Sequence, residues 1–309
     1  MSTHANLALD IRQLQKTYPN GVEALKGINL SVKQGDFFAL LGANGAGKST
    51  TIAALTTLVT PTAGQIFIQG HDLAHDPERA KSFLGVVPQE INLNVFETCE
   101  TILITQAGYY GVPRAVAKKT GEHLLRQLGL WNKRQALVRD LSGGMKRRLM
   151  IARALMHHPK VLLLDEPTAG VDIEVRRSIW DFLTRTNEQG TTIILTTHYL
   201  EEAEKLCKNI AILHEGRIIE NTSMKQLLQS QHMQTLVVMT FDPIDVLPDF
   251  APHDCTMIDQ HTLEIRVDNQ YELNTIFQRF NALGMRIQSV RTKTNRLEEL
   301  FLHRISHAH

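Results

Sequence analysis

Residues 38–58 open with Phe38-Ala39-Leu40-Leu41, pass through Gly42-Ala43-Asn44-Gly45-Ala46-Gly47-Lys48-Ser49-Thr50, and continue in a run of helical character. Gly42, Gly47, Lys48 and Ser49 match the phosphate-loop spacing of glycine, four residues, glycine, lysine, then serine or threonine. The context matches too: an apolar strand enters, a helix leaves, and no proline intervenes before Pro61. Small residues let backbone N–H groups turn inward around an anion. A helix starting near Lys48 aims its positive dipole end at the same place. Lys48 is therefore expected to reach terminal phosphates, and the Ser49 hydroxyl to bind magnesium. The plainer alternative, a glycine-rich turn with an incidental lysine, explains the spacing but not its context.

The chain has 309 residues, room for one large domain or two modest ones. A formal charge of +1 gives no electrostatic case for nucleic acid, which is not an expected partner. No apolar run has the length of a membrane span, and residues 1–6 lack the apolar core of a signal peptide. Cys99, Cys207 and Cys255 are far apart and odd in number, which suits a reducing cytosol better than a disulfide or metal framework. His303, His307 and His309 read as a polar terminus rather than a metal site.

Residues 7–14 read as a strand. Lys16-Thr17-Tyr18-Pro19-Asn20-Gly21 is a turn, and residues 22–32 make one or two further strands. Tyr18 on that turn either stacks on a purine or is a half-buried turn tyrosine. After the first helix come a strand at 65–68, a short helix at 77–83 and a strand at 84–87. Gln89 follows directly, its amide placed either to reach a metal or an attacking water or to cap a loop. Residues 92–140 turn helical, with helices at 97–107 and 114–128 and an apolar stripe of Leu124, Leu125 and Leu128. Residues 92–97 mix apolar and polar groups without a period, as a packed loop or a partner surface does.

Leu141-Ser142-Gly143-Gly144-Met145 opens a helix toward residue 158, with Ser142 as N-cap. Its two glycines would admit a phosphate to the backbone, while Lys146, Arg147 and Arg148 add charge or form the basic face of an amphipathic helix. Val161-Leu162-Leu163-Leu164-Asp165-Glu166-Pro167 is a buried strand whose carboxylates emerge at the edge where open α/β sheets bind ligands. Asp165 is expected to hold magnesium through water and Glu166 to take a proton from the attacking water. A helix at 173–187 and a strand at 191–196 follow. His198, at that strand's end, either bonds a γ-phosphate or packs. A helix at 200–207 carries Glu201 and Lys205 as a solvent-facing pair. Residues 210–220 form a hairpin, and Ser223 with Gln226 is a capping box. From about 234 onward a separate unit begins, with strands at 235–241 and 262–267, loop at 242–254, helix at 273–283, strand at 285–291 and helix at 296–305. It shows no chemistry and reads as a packing or dimer-contact module.

The succession of these motifs resembles the ATP-binding subunit of ABC transporters, over residues 7–230. The resemblance implies a phosphate-loop NTPase fold of α/β class: a RecA-like core, an antiparallel β-subdomain and a helical signature subdomain. It implies domains at 1–230, with the helical insertion about 92–158, and a small α/β module at 231–309. By it Tyr18 stacks on adenine. Gly42, Asn44, Gly45, Ala46, Gly47, Lys48, Ser49 and Thr50 form the Walker A loop. Gln89 is the Q-loop glutamine, Ser142, Gly143 and Gly144 belong to the signature, Asp165 closes Walker B, Glu166 is catalytic, Asp172 ends the D-loop and His198 is the switch histidine. Ser49, Gln89 and Asp165 would serve Mg2+, and ATP is the implied nucleotide.

Three phrases narrow the likeness to the ATPases of type-2 ABC exporters, and within them to bacterial YadG-type ATP-binding proteins. They are Gln106-Ala107-Gly108-Tyr109-Tyr110-Gly111, Asp165-Glu166-Pro167-Thr168-Ala169-Gly170-Val171-Asp172 and Asn295-Arg296-Leu297-Glu298-Glu299-Leu300-Phe301. Met145 stands where glutamine is usual in the signature, and Ala169-Gly170-Val171-Asp172 replaces the common Ser-Ala-Leu-Asp. The resemblance implies a head-to-tail homodimer, with ATP between Lys48 of one subunit and Ser142-Gly143-Gly144 of the other. It also implies an integral membrane permease partner and a place on the cytoplasmic face of the membrane. A soluble ABC-type ATPase acting on nucleic acid or ribosomes would usually carry two nucleotide domains or a long coiled coil. A GTPase would need Asn-Lys-x-Asp, and Asn132-Lys133-Arg134-Gln135 lacks the aspartate.

Overall fold

A computed structural model describes residues 6–229, 233–244, 246–251, 253–268, 273–293, 297, 298, 300, 301 and 304. His303, His307 and His309 lie outside them. The chain forms two compact units, Met1–Thr222 and Ser223–His309.

In the first unit β1 (Leu7–Thr17) and β2 (Glu23–Lys33) pair antiparallel, β2 as one continuous strand. There follow β3 (Phe37–Leu41), α1 (Lys48–Leu55), β4 (Ala63–Ile68), β5 (His71–Asp72), α2 (Pro77–Ser82) and β6 (Leu84–Val87). The helical insertion holds α3 (Cys99–Tyr109), α4 (Arg114–Gln127) and α5 (Gly143–Leu155). Then come β7 (Val161–Asp165), α6 (Ile173–Glu188), β8 (Thr192–Thr196), α7 (Leu200–Leu206), β9 (Asn209–His214) and β10 (Arg217–Ser223). One sheet has the order β2-β1-β4-β5 and is antiparallel. The other has the order β10-β9-β3-β8-β7-β6 and is parallel from β9 to β6.

Every residue of β3 and β8 is buried, which is why Phe37-Phe38-Ala39-Leu40-Leu41 is apolar throughout rather than alternating. The register sets Leu40 opposite Thr196, Thr196 opposite Asp165, and Leu164 opposite Val87. The four chains leaving β3, β8, β7 and β6 therefore emerge along one edge, where open parallel sheets place their ligands. In the insertion, Leu124, Leu125 and Leu128 are buried, and Ile102, Leu103 and Ala107 of α3 are buried with them.

The second unit opens with α8 (Met224–Gln229) behind the Ser223–Gln226 box, in which the Ser223 hydroxyl accepts from the Gln226 amide at 3.2 Å. Strands β11 (Met233–Thr240), β12 (Asp254–Asp259), β13 (Thr262–Asp268) and β14 (Ile287–Thr292) and helix α9 (Leu273–Ala282) complete it. The antiparallel order is β12-β13-β11-β14. Val238, Leu263, Ile265, Ile276 and Phe280 are its core, with the Phe250 and Phe280 rings 4.7 Å apart. β12 is a strand the sequence did not announce: it lies at the sheet edge, exposed except for half-buried Cys255. Of the helix expected at 296–305, Leu297, Glu298, Leu300, Phe301 and Arg304 are described and helical, with Leu297 and Leu300 buried.

Leu163 sits mid-strand in β7 and is 1% exposed. Leu163→Ala should lower unfolding free energy by ~2–5 kcal/mol, read as a shift of the urea midpoint at unchanged slope. A loss below ~1 kcal/mol would mean that the core around β7 collapses onto the gap.

Candidate functional site

The loop between β3 and α1 has little conformational choice. A Cβ on Gly42 would lie 2.4 Å from the Leu213 carbonyl oxygen, and one on Gly47 2.7 Å from that of Ala24. Gly47 also sits at φ 112° and caps α1 without a side-chain hydrogen bond, so the first turn keeps N–H groups for an anion. The Lys48 amine donates to the carbonyls of Gly42 at 2.6 Å and Ala43 at 3.0 Å. Burial lowers its pKa, against the pull of Glu166 and Asp165.

A cleft of about 160 Å³ opens on this loop, lined by Asn44, Gly45, Gly47, Lys48, Ser49 and Thr50, and across from them by Gln89, Asp165 and Glu166. The glycine cradle, a lysine and the oxygens of Ser49 and Asp165 fit a phosphate chain with a hard cation. Burial raises the Asp165 pKa, Thr196 opposes by donating its hydroxyl to the carboxylate, Glu166 raises it, and Lys48 and Arg147 lower it. Glu166 is held on both sides. Oε1 pairs with His198 Nδ1 at 2.9 Å, and Oε2 accepts from Gln89 Nε2 at 3.1 Å. The sequence left the contacts of Gln89 and His198 open; both meet Glu166. Tyr18 is half-buried, its hydroxyl 3.4 Å from that of Thr50, with Lys16 over its ring at 5.2 Å.

Ser142 caps α5, accepting from the Met145 amide at 3.3 Å. Ser142 and Gly143 are exposed, and neither they nor Gly144 line the cleft. Asp172 caps α6, accepting from the Val175 amide at 2.8 Å.

Sequence reasoning missed two buried charges. Arg147 belongs to no exposed basic face: it is 5% exposed and donates to the carbonyls of Pro88 and Gln89. Its signal was a basic run beside a loop, which reads as solvated surface by default. Glu202 is 0% exposed and accepts from the Thr168 hydroxyl at 3.0 Å and the Trp180 indole at 2.8 Å. It ties the loop after Glu166 to the helix after His198. Lys205 lies over the Trp180 ring at 5.0 Å, so its described contact is aromatic rather than with Glu201.

The sheet edge, loop and cleft define a phosphate-loop nucleotide hydrolase. The family model described as ABC transporter matches residues 25–169. "Nod factor export ATP-binding protein I" of Burkholderia pseudomallei (strain 1710b) is 38% identical over 84% of this chain and 86% of its own length. "Linearmycin resistance ATP-binding protein LnrL" of Bacillus subtilis (strain 168) is 33% identical over 95% of this chain and 97% of its own. The solved dimeric, post-hydrolysis structure of the ATP-binding cassette MJ0796 with ADP and Pi is 27% identical, with a TM-score of 0.65. It covers 70% of this chain and 98% of that one. The chain belongs to the ATP-binding proteins of ABC transporters, and is an ABC ATPase.

Burial raises the Glu202 pKa above its ordinary 4.5. A raised carboxyl pKa means stability present below that value and lost as pH climbs through the folded pKa. Glu202→Gln keeps an acceptor for Trp180 and Thr168 and removes the ionisation. The difference in melting temperature, variant minus native, should therefore grow from pH 4.5 upward and then level off. A difference independent of pH would show that Glu202 titrates alike in the folded and unfolded states.

Proposed function

We propose that this chain is the ATP-hydrolysing subunit of an exporter, acting as a head-to-tail pair on a separate membrane permease of the type-2 class. The ATPase domain is taken at residues 1–230 and the accessory module at 231–309, a boundary eight residues past the break between the two compact units at Thr222 and Ser223. The observation that carries the reading is the Glu166 carboxylate, held by Gln89 and His198 at the rim of the cleft that contains Lys48.

Each carboxylate oxygen has two lone pairs, so the bonds from Gln89 and His198 fix the group and leave acceptor capacity for a water. Glu166 takes that water's proton as it attacks the terminal phosphate. His198 and Gln89 set its direction. Lys48 and the first-turn amides of α1 hold the phosphate charge. Tyr18 stands near Thr50, where adenine would stack. The Ser49 and Asp165 oxygens, with Gln89 Oε1, would hold Mg2+, which would offset charge on the phosphates.

The exposed Ser142-Gly143-Gly144 turn lies outside this cleft. That placement supports delivery of the turn by a second copy, as does the dimeric state of MJ0796 with ADP and Pi. A phosphate chain between two helix N-termini would close the pair, and its cleavage would reopen it. No helix among the described residues is long and apolar enough to cross a membrane. Ile91, Val95 and Phe96, just past Gln89, are exposed, and such apolar groups suit a permease contact. That contact would hold the chain at the cytoplasmic face of the membrane. The names of the two relatives, both ATP-binding proteins of export or resistance, support the outward direction.

Glu166→Gln should slow ATP turnover by ~100-fold or more with ATP still bound, because it removes the base. Unchanged turnover would take Glu166 out of that role. Tagged Glu166→Gln protein, captured with ATP from solubilised membranes, should bring a multi-span protein in near-equal amount. Recovery in the soluble fraction, alone or with ribosomes or nucleic acid, would overturn the permease reading.

A further inference from the structure

Gln89 is placed by backbone contacts, not only by its own side chain. Arg147 Nη1 donates to the Pro88 carbonyl at 3.0 Å and Nη2 to the Gln89 carbonyl at 2.7 Å. Six residues further along α5, Arg153 donates to the Asn92 carbonyl at 3.0 Å and to its Oδ1 at 2.6 Å. The loop leaving β6 is thus strapped along the signature helix.

The Pro88 carbonyl belongs to the peptide plane before the Gln89 Cα, and the Gln89 carbonyl to the plane after it. A rigid guanidinium fork on both carbonyls restrains both planes, and with them φ and ψ of Gln89. Those angles set the direction of the Cα–Cβ bond, and so where the amide meets Glu166. Arg147 meets carbonyls here rather than pairing with a carboxylate, and it is 5% exposed. Burying an arginine carries a desolvation penalty that a solvated lysine would avoid, so its place needs a reason beyond charge.

We propose that Arg147 is a positioning residue for hydrolysis: it locks the backbone of Gln89 to the signature helix, so that the position of α5 is read at the Gln89–Glu166 contact. The proposal rests on the reading of Glu166 as base. Docking of the Ser142 end of α5 on a nucleotide shifts Gln89 relative to Glu166 through this fork, without any contact between Arg147 and the nucleotide. A lysine would keep the charge, but it would meet the carbonyls through one nitrogen on a flexible stem in place of a rigid two-nitrogen fork.

The test uses full-length protein and four variants: Arg147→Lys, Gln89→Ala, the double variant, and Glu166→Gln. Arg147→Lys should lower kcat roughly 10- to 100-fold, as a misplaced catalytic group does, with KM for ATP within about twofold because the phosphate loop is untouched. In the Gln89→Ala background, Arg147→Lys should have no further effect on kcat. Equal fold-losses in both backgrounds would overturn the proposal, because a general structural role multiplies through either one. An unchanged kcat in Arg147→Lys would overturn it too. Should Arg147→Lys melt early, Arg147→Gln is read the same way, and the Gln89→Ala background still decides. Full turnover in Glu166→Gln would remove the base reading separately, leaving the coupling between Arg147 and Gln89 to be read from the cycle.

Discussion

Two cations and two carboxylates meet at the C-terminal edge of the parallel sheet, and their mutual neutralisation is what lets a charged cleft rest on an apolar core. Lys48, Arg147 and Glu166 are each less than a tenth exposed. Burial works against the charged forms of Lys48, Arg147 and Asp165, and in each case the opposite charges in the quartet work the other way. Removing one member would leave another buried charge without compensation, which is worse than losing a surface pair. The quartet also leaves the Lys48 amine on loop carbonyls instead of in a short ion pair with a carboxylate. A phosphate entering the cleft therefore competes with two neutral acceptors rather than with a fixed anion.

The parallel register brings Lys48 and the two carboxylates together, and α5 adds Arg147. Lys48 and Glu166 are more than a hundred residues apart, and they meet because β3 and β7 flank β8 in step. That much was legible. Phe37-Phe38-Ala39-Leu40-Leu41 and Val161-Leu162-Leu163-Leu164 are apolar on both faces, as only strands covered on both sides need to be. A polar group at or just past the end of such a strand has one place to go: Asp165 ends β7, and His198 and Gln89 follow β8 and β6 by two residues, while Lys48 opens the helix after the β3 loop. The strand β12 escaped notice for the converse reason: exposed at an edge, it carries no burial pattern to read.

Arg147 and Glu202 were illegible for a different reason. Local pattern tells which face of a helix is apolar, but not which distant loop crosses that face. Arg147 stands in a basic run on a helix whose N-terminal turn is partly exposed, so pattern assigns it to solvent. Only the path of residues 88–92 along α5 converts it into a donor for two carbonyls. Glu202 follows Glu201 in a helix of seven residues, and one of these neighbours is exposed while the other is fully buried. The difference is made by Thr168 and Trp180, which arrive from other elements.

The adjacency of Asp165 and Glu166 poses a geometric problem that the backbone solves. In a strand, successive side chains point to opposite faces, so two consecutive carboxylates on β7 would serve opposite sides of the sheet. Yet both line the one cleft. Glu166 has a φ of 47°, in the left-handed region that a residue other than glycine seldom adopts. The strand ends there: the Glu166 amide still bonds the Thr196 carbonyl at 2.9 Å, after which the chain turns and Ala169 bonds back to the Glu166 carbonyl. Such a conformation costs roughly 1–3 kcal/mol and persists only where its surroundings overdetermine it. The bonds from Gln89 and His198 to the same carboxylate are part of those surroundings. The clasp that orients Glu166 thus also helps hold the turn that brings it beside Asp165. Loosening either partner would act on the carboxylate twice, through its own hydrogen bond and through the backbone it steadies.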